Sequence, residues 1–256
     1  MSVSKHAQIG ARCEIASTAI VYPNVVLGDD CVVGDFCILG HPARGARAGT
    51  PLMVSDGAYI GAHSILYEGS IFGAALRVGH HSMIREGIIA AENLQVGSFN
   101  DLEGEAQIGS WVRFHSNVHL CRGSWVGDLV WIFPNAITTN DPIPPSGLCH
   151  GPRIGHGAAV CTGSVVLPRS IIGDGAFIGA MTRVGGEVPS GALVVGNPGQ
   201  VVGSVRRLKD RETGKQHPWF GHHADAYPAA AQNRIRELLL QVGAACDSLE
   251  DKLNKI

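Results

Sequence analysis

Val, Ile and Leu recur at every sixth residue over most of this chain. One run goes from Val3 through Ile9, Ile15, Val21, Leu27 and Val33 to Leu39; a second, displaced in phase, from Ile60 to Ile132; a third from Ile154 to Val184. A helix repeats near 3.6 residues and a strand near 2, so a beat of six fits neither alone. It fits a short strand, a tight turn and the next short strand. The residue four places after an anchor is usually small, as at Ala7, Cys13, Cys31, Cys37, Ser64, Ser70 and Ser82. The anchor fills a core and the small residue lets the next wall approach. Three strands make one triangular coil, and stacked coils pair as parallel strands about 4.8 Å apart. The pattern predicts an all-β solenoid in which each coil buries its apolar face only against its neighbours.

Two stretches interrupt the beat: residues 40–59, around "GHPARGARAGTPLMVSDGAY", and residues 138–153, around the Pro-rich "TTNDPIPPSGLCHGPR". Loops that leave a rigid scaffold often carry function. The solenoid is expected over 1–204. Residues 205–256 then supply a polar linker and a helix from about Ala229 to Lys255. That helix carries Ile235, Leu239, Val242, Cys246, Leu249 and Leu253 in an a/d seam, which calls for burial against its own domain or a sister chain within an assembly rather than a foreign partner.

Composition narrows the function. The 256 residues carry a net charge of −2 with His neutral, without the basic excess of a nucleic-acid footprint. No apolar run reaches membrane-spanning length. The start, "MSVSKHAQIG", lacks the apolar core of a secretion signal. Seven cysteines without a C-x-x-C pair suggest neither a disulfide framework nor zinc, and a cytoplasmic setting is expected.

The repeats "IGARCE", "LGDDCV", "VGDFCI", "IGHGAA" and "IGDGAF" resemble the hexapeptide signature of the left-handed β-helix acyltransferases, over roughly residues 3–204. Within that family, "VGHHSMIREG", "RFHSNVH", "TTNDPIPP" and "VVGNPGQVVG" are most similar to acetyltransferases of nucleotide-linked amino sugars for surface polysaccharides. The resemblance implies a left-handed coil, a homotrimer, and acetyl-CoA or another acyl-CoA bound between subunits, with no metal. It also gives roles to residues. His80, His115 and Asn117 match positions that recur among those relatives, Asn117 as a positioning group. Asn140 and Asp141 match a sugar-contacting loop. Gly196, Asn197 and Pro198 match a segment beside CoA. In the lipid A O-acyltransferase the stretch "NVHLCRG" would carry a second, catalytic histidine; here that position is Arg122.

The period itself places residues 18 apart on adjacent coils. His63, His81, Phe99, Asn117 and Asn135 then share one edge of the prism, and Asp101 lies directly under His119. A neutral histidine can accept a proton from an attacking group, and a carboxylate can fix its tautomer. Arg85 and Glu86, on a nearby corner, suit a substrate diphosphate or a plain salt bridge. Arg206 of "SVRRLKDR" suits the phosphates of CoA. The leading expectation is an N-acyltransferase on a nucleotide-linked amino sugar. An O-acetyltransferase on a sugar or other small hydroxyl acceptor is the alternative. A zinc-dependent β-helix of the carbonic anhydrase type, with His63 and His81 as ligands, stands third.

Overall fold

The computed structural model describes residues 2–44 and 49–253. Short strands, mostly of two residues, wind into three parallel sheets of ten, ten and eleven strands. The register steps by 18 residues: Asp101 pairs with His119, Gln107 with Trp125, and Arg113 with Trp131. Buried anchors such as Leu66, Phe72, Ile84, Leu102 and Phe114 fill one continuous core. The small residues behind them do more than save space. Ser64, Ser70, Ser82 and Ser164 are buried, and their hydroxyls donate to the carbonyls of Gly79, Arg85, Gly97 and Gly179 on the next coil. Each satisfies a polar group that the core would otherwise strand, and such a group is costly to leave unmade. Cys31 and Cys37 take the same positions as small, free, buried residues.

The first interruption is shorter than the beat suggests. The strands Leu52–Val54 and Tyr59–Ile60 fall inside 40–59, with Val26 paired to Met53 and Val32 to Tyr59. Val54 is itself a buried anchor six residues before Ile60, so the beat resumes one strand earlier. Residues 45–48 of that stretch lie outside the described residues. The second interruption leaves the first sheet after the strand Ile137–Thr138 and rejoins at Arg153–Ile154. An antiparallel return, Gln200–Ser204 on Ala192–Val195, closes the last coil.

Helix α1 (Trp219–His223) and helix α2 (Ala229–Leu253) follow the linker. The expected helix reached Lys255; residues 254–256 lie outside the described residues. The buried face of α2 is Ala231, Ile235, Leu238, Val242, Cys246 and Leu249, with Leu238 where the seam put Leu239. This face packs on the chain's own solenoid rather than awaiting a sister chain. A ridge of left-handed glycines receives it at the corner between the second and third sheets. A Cβ on Gly157 would lie 2.8 Å from Leu238 Cδ2, on Gly175 2.5 Å from Val242 Cγ2, and on Gly191 2.6 Å from Cys246 Sγ. On lower coils the same corner carries Asn93, Trp111 and Leu129, also at positive φ; Leu129 is buried in the cluster that holds Ile235 and Leu238. Gly175→Ala is therefore expected to cost about 1–3 kcal/mol by overpacking a φ of +63°. Thermal unfolding measures it; Val242→Ala in the same background should recover part of the loss, and an unchanged melting temperature would refute the packing.

Candidate active site

Between Ile20 and Val165 the outward row of the first sheet is apolar except at one place. In register it reads Ile20, Ile38, Ile65, Met83, Asp101, His119, Ile137 and Val165, with Arg183 following at the far end. Two polar side chains inside that apolar stretch are a signal that packing does not explain. His119 Nδ1 lies 3.4 Å from Asp101 Oδ2, and its Nε2 lies 3.8 Å from Glu103 Oε1. The other Asp101 oxygen, Oδ1, is buried and has no hydrogen-bond partner among the described residues. The contact with Asp101 raises the His119 imidazole above its ordinary value, against desolvation and with help from Glu103. The same contact favours the proton on Nδ1, which leaves the Nε2 lone pair facing outward beside Glu103.

A chain of charged groups continues from this pair. Glu103 Oε2 accepts from the Arg122 backbone N–H at 3.1 Å. Glu86 is 4% exposed, and its Oε1 accepts from the guanidinium groups of both Arg85 and Arg122 at 3.0 Å. Arg85 also lies over the Tyr67 ring, 5.9 Å from its centroid. The Pro-rich loop is tied to the same network. Asn140 Nδ2 donates to the Arg122 carbonyl at 3.2 Å, and Cys149 Sγ sits 3.5 Å from that oxygen. Arg122 thus holds loop, Glu103 and Glu86 together where a second histidine would stand.

The structure brings Asp101, His119, Arg85, Glu86 and Asn140 into this one network. Glu86 is not free to bind substrate, because its buried carboxylate is spent on two arginines. Asp141 is likewise engaged within its loop: it accepts from the backbone N–H groups of Ile143 and Ser146 and from the Ser146 hydroxyl. The edge predicted from the period is present as a column of rings. Phe36, His63, His81 and Phe99 stack at centroid distances of 4.9, 4.7 and 5.0 Å, followed by Asn117 and Asn135 at positive φ. His63 and His81 face each other ring to ring, 3° from parallel. Among the described residues no three His, Cys, Asp or Glu side chains group as metal ligands. His80 is exposed beside the column, its backbone N–H on Ser98 Oγ.

His115 lies on the other side of that edge, on the third sheet. Its ring stacks on Phe133 at 4.8 Å, and burial, aided by Arg113, pulls its pKa down. The residues expected at CoA are tied up structurally. Arg206 is held by Asp247 and the Gly243 carbonyl of α2, and Asn197 accepts from Arg183 at 2.8 Å. Gly196 and Pro198 shape the turn of the closing hairpin. Sequence reasoning missed Glu103, although it stands two residues beyond Asp101 on the same outward side of the chain.

Repeat and coil together define a parallel β-solenoid of hexapeptide repeats, and the chain is similar to the hexapeptide-repeat acyltransferases. The bacterial transferase hexapeptide (six repeats) family matches residues 6–41. The chain is 34% identical over 86 residues to serine acetyltransferase 2 of Arabidopsis thaliana, a match covering 32% of this chain. It spans about a quarter, 26%, of that relative's length. Among solved structures, UDP-N-acetylglucosamine acyltransferase from Campylobacter jejuni superposes with a TM-score of 0.50 at 12% identity. That superposition covers 96% of this chain and 92% of the other. The Arabidopsis UDP-N-acetylglucosamine acyltransferase gives 0.52 at 16% identity, covering 97% and 94%. At these identities the likeness is one of fold.

Proposed function

We propose that the chain transfers an acyl group from acyl-CoA to the amino group of a nucleotide-linked amino sugar. The observation that carries this reading is His119 held between Asp101 and Glu103, in an otherwise apolar stretch of the first sheet's outward row and beneath a tethered loop. The relatives named above are an acetyltransferase and two acyltransferases, which supports acyl transfer as the reaction class. A homotrimer with acyl-CoA along the subunit boundary belongs to the same proposal. So does a role in making surface polysaccharide.

The chemistry follows from the pair. At neutral pH an acceptor amine arrives as ammonium, and the carboxylates of Asp101 and Glu103 attract it. His119 Nε2 takes one proton from the amine, Asp101 holding the ring and stabilising the charge it gains. The freed amine nitrogen attacks the thioester carbonyl, and as the C–S bond breaks the thiolate takes that proton from His119. The neutral imidazole then accepts the second proton from the acylated nitrogen and passes it to solvent. Asn117 on the neighbouring edge is the positioning group. The Arg85–Glu86–Arg122 cluster fixes the coil and loop around the pair.

The dyad geometry by itself also suits a hydroxyl acceptor, so the O-acyl reading stands second. A panel of amino- and hydroxy-sugar nucleotides with acetyl-CoA, read by thiol release, separates the two. The N-acyl reading expects turnover with amino sugars and a product stable to hydroxylamine. Turnover only with hydroxy sugars, or with none of the panel, contradicts it.

The raised His119 pKa gives a pH prediction. The base works only when neutral, so kcat/KM should fall on the acid side with a midpoint above the ordinary imidazole value of about 6.5. Asp101→Asn removes the main cause of the shift and should move that limb to lower pH while lowering the plateau. An acid limb unmoved by Asp101→Asn would show that His119 is not the titrating group.

A further inference from the structure

The outward row of the third sheet reads Tyr59, Arg77, Gln95, Arg113 and Trp131 in register, five consecutive coils of polar or aromatic side chains. Two adjoining hollows lie along it. One, of about 250 Å³, sits between the sheet and the C-terminal extension, walled by Trp111, Trp131 and Tyr227, with Asn93, Gln95 and Arg113. The other, of about 530 Å³, continues down the row past Arg113, Gln95 and Arg77 to His115. Gln95 and Arg113 line both, so the two form one cleft.

Its charge is one-sided. Neither hollow has an Asp or Glu in its lining, in a chain with 22 acidic and 20 basic residues. Arg77 has no ion-pair or hydrogen-bond partner for its guanidinium among the described residues. The Arg113 guanidinium lies 4.5 Å over the Trp131 ring and likewise has no carboxylate. At Arg85, Arg122 and Arg234, by contrast, a carboxylate answers each guanidinium; Arg153, over the Trp125 ring at 4.5 Å, is a second stacked arginine. The Trp111 indole N–H and His115 Nε2 are buried without a hydrogen-bond partner among the described residues. Gly79 and Gly97 on its floor let successive coils approach closely: a Cβ on Gly79 would come within 2.6 Å of the Gly97 carbonyl carbon, and one on Gly97 within 2.7 Å of that of His115.

Unanswered arginines beside an aromatic wall, with amide side chains between them, match one ligand chemistry. Arg forks bind phosphate in paired hydrogen bonds, and aromatic faces stack nucleobases. Asn93 and Gln95 offer both donors and acceptors to a base edge. We infer that this cleft binds a nucleoside phosphate, the base in the hollow under Trp111, Trp131 and Tyr227, the phosphates between Arg113 and Arg77. The site lies across the ring-column edge from His119. It rests on the acyl-transfer reading only for the sources of such a ligand: the acceptor's nucleotide or the nucleotide end of CoA.

Titration of the full chain, followed by tryptophan fluorescence and calorimetry, tests the inference. The probes are UDP, adenosine 3′,5′-bisphosphate, and the matching nucleosides. One of the two phosphorylated probes should quench the fluorescence saturably, and which one does so identifies the source; its nucleoside should bind more weakly. Arg77→Gln should weaken binding about tenfold, the loss of a charge-assisted contact, with an unchanged melting temperature because no protein group depends on Arg77. Trp131→Phe should reduce the fluorescence response. His119→Ala should leave binding intact, so failure of transfer and failure of this site can be told apart. Absence of binding by both phosphorylated probes, or equal affinity in Arg77→Gln, overturns it.

Discussion

His119→Ala lowers kcat/KM for acyl transfer by about 10²- to 10⁴-fold, the range for loss of a positioned general base. The size follows from the surroundings of the ring. Asp101 holds Nδ1, Glu103 stands beyond Nε2, and the row's neighbours on either side, Met83 and Ile137, are apolar. The nearest alternative imidazoles are placed elsewhere: His115 stacks on Phe133 of the third sheet, and His41 lies against Tyr67 several coils below. Steady-state kinetics on the variant measure the loss, with the melting temperature as a control on folding. His119→Gln keeps the size and one donor but has no titrating nitrogen, so it should be nearly as impaired. Activity within a few-fold of the parent would remove His119 from the reaction.

The second large effect is on stability. Glu86→Ala leaves Arg85 and Arg122 without their shared, buried acceptor. Breaking a buried ion pair from one side costs about 3–5 kcal/mol; the two guanidinium groups here are 39% and 40% exposed, which argues for about 3. The damage should reach the site. Arg122 also positions Glu103 through its N–H and Asn140 through its carbonyl, so the Pro-rich loop should loosen. Denaturant unfolding gives the energy, and proteolysis within 141–148 reports the loop. Glu86→Gln keeps an acceptor oxygen and should lie between. A Glu86→Ala chain as stable as the parent would mean that the two arginines find water without cost.

These two predictions differ in how far the sequence foretold them. The pairing of Asp101 with His119 is arithmetic: a six-residue beat and three walls put residues 18 apart side by side, and the structure has them in register. The column from Phe36 through His63 and His81 to Phe99 follows from the same rule. A period fixes which backbones are neighbours. It does not fix where long side chains go. Arg206 reads as a free cation in "SVRRLKDR", yet its stem reaches α2 and is neutralised by Asp247. Glu86 reads as an exposed corner residue, yet it is buried because two arginines from different coils converge on it. The α2 face was legible as a seam to within one position. Its partner was not, because only the fold brings Gly157, Gly175 and Gly191 into one ridge. Likewise, no linear pattern joins Arg77, Gln95, Arg113 and Trp131 to Tyr227, which arrives from the far end of the chain.

The most direct measurement is diffraction from crystals holding a bisubstrate analogue, in which the sulfur of CoA is linked to the amine of an amino sugar. The account places the linked nitrogen over the outer face of the first sheet, within hydrogen-bond reach of His119 Nε2 and beside Glu103. Density for that nitrogen on another sheet, or with Asp101 and His119 turned away from it, would contradict the account.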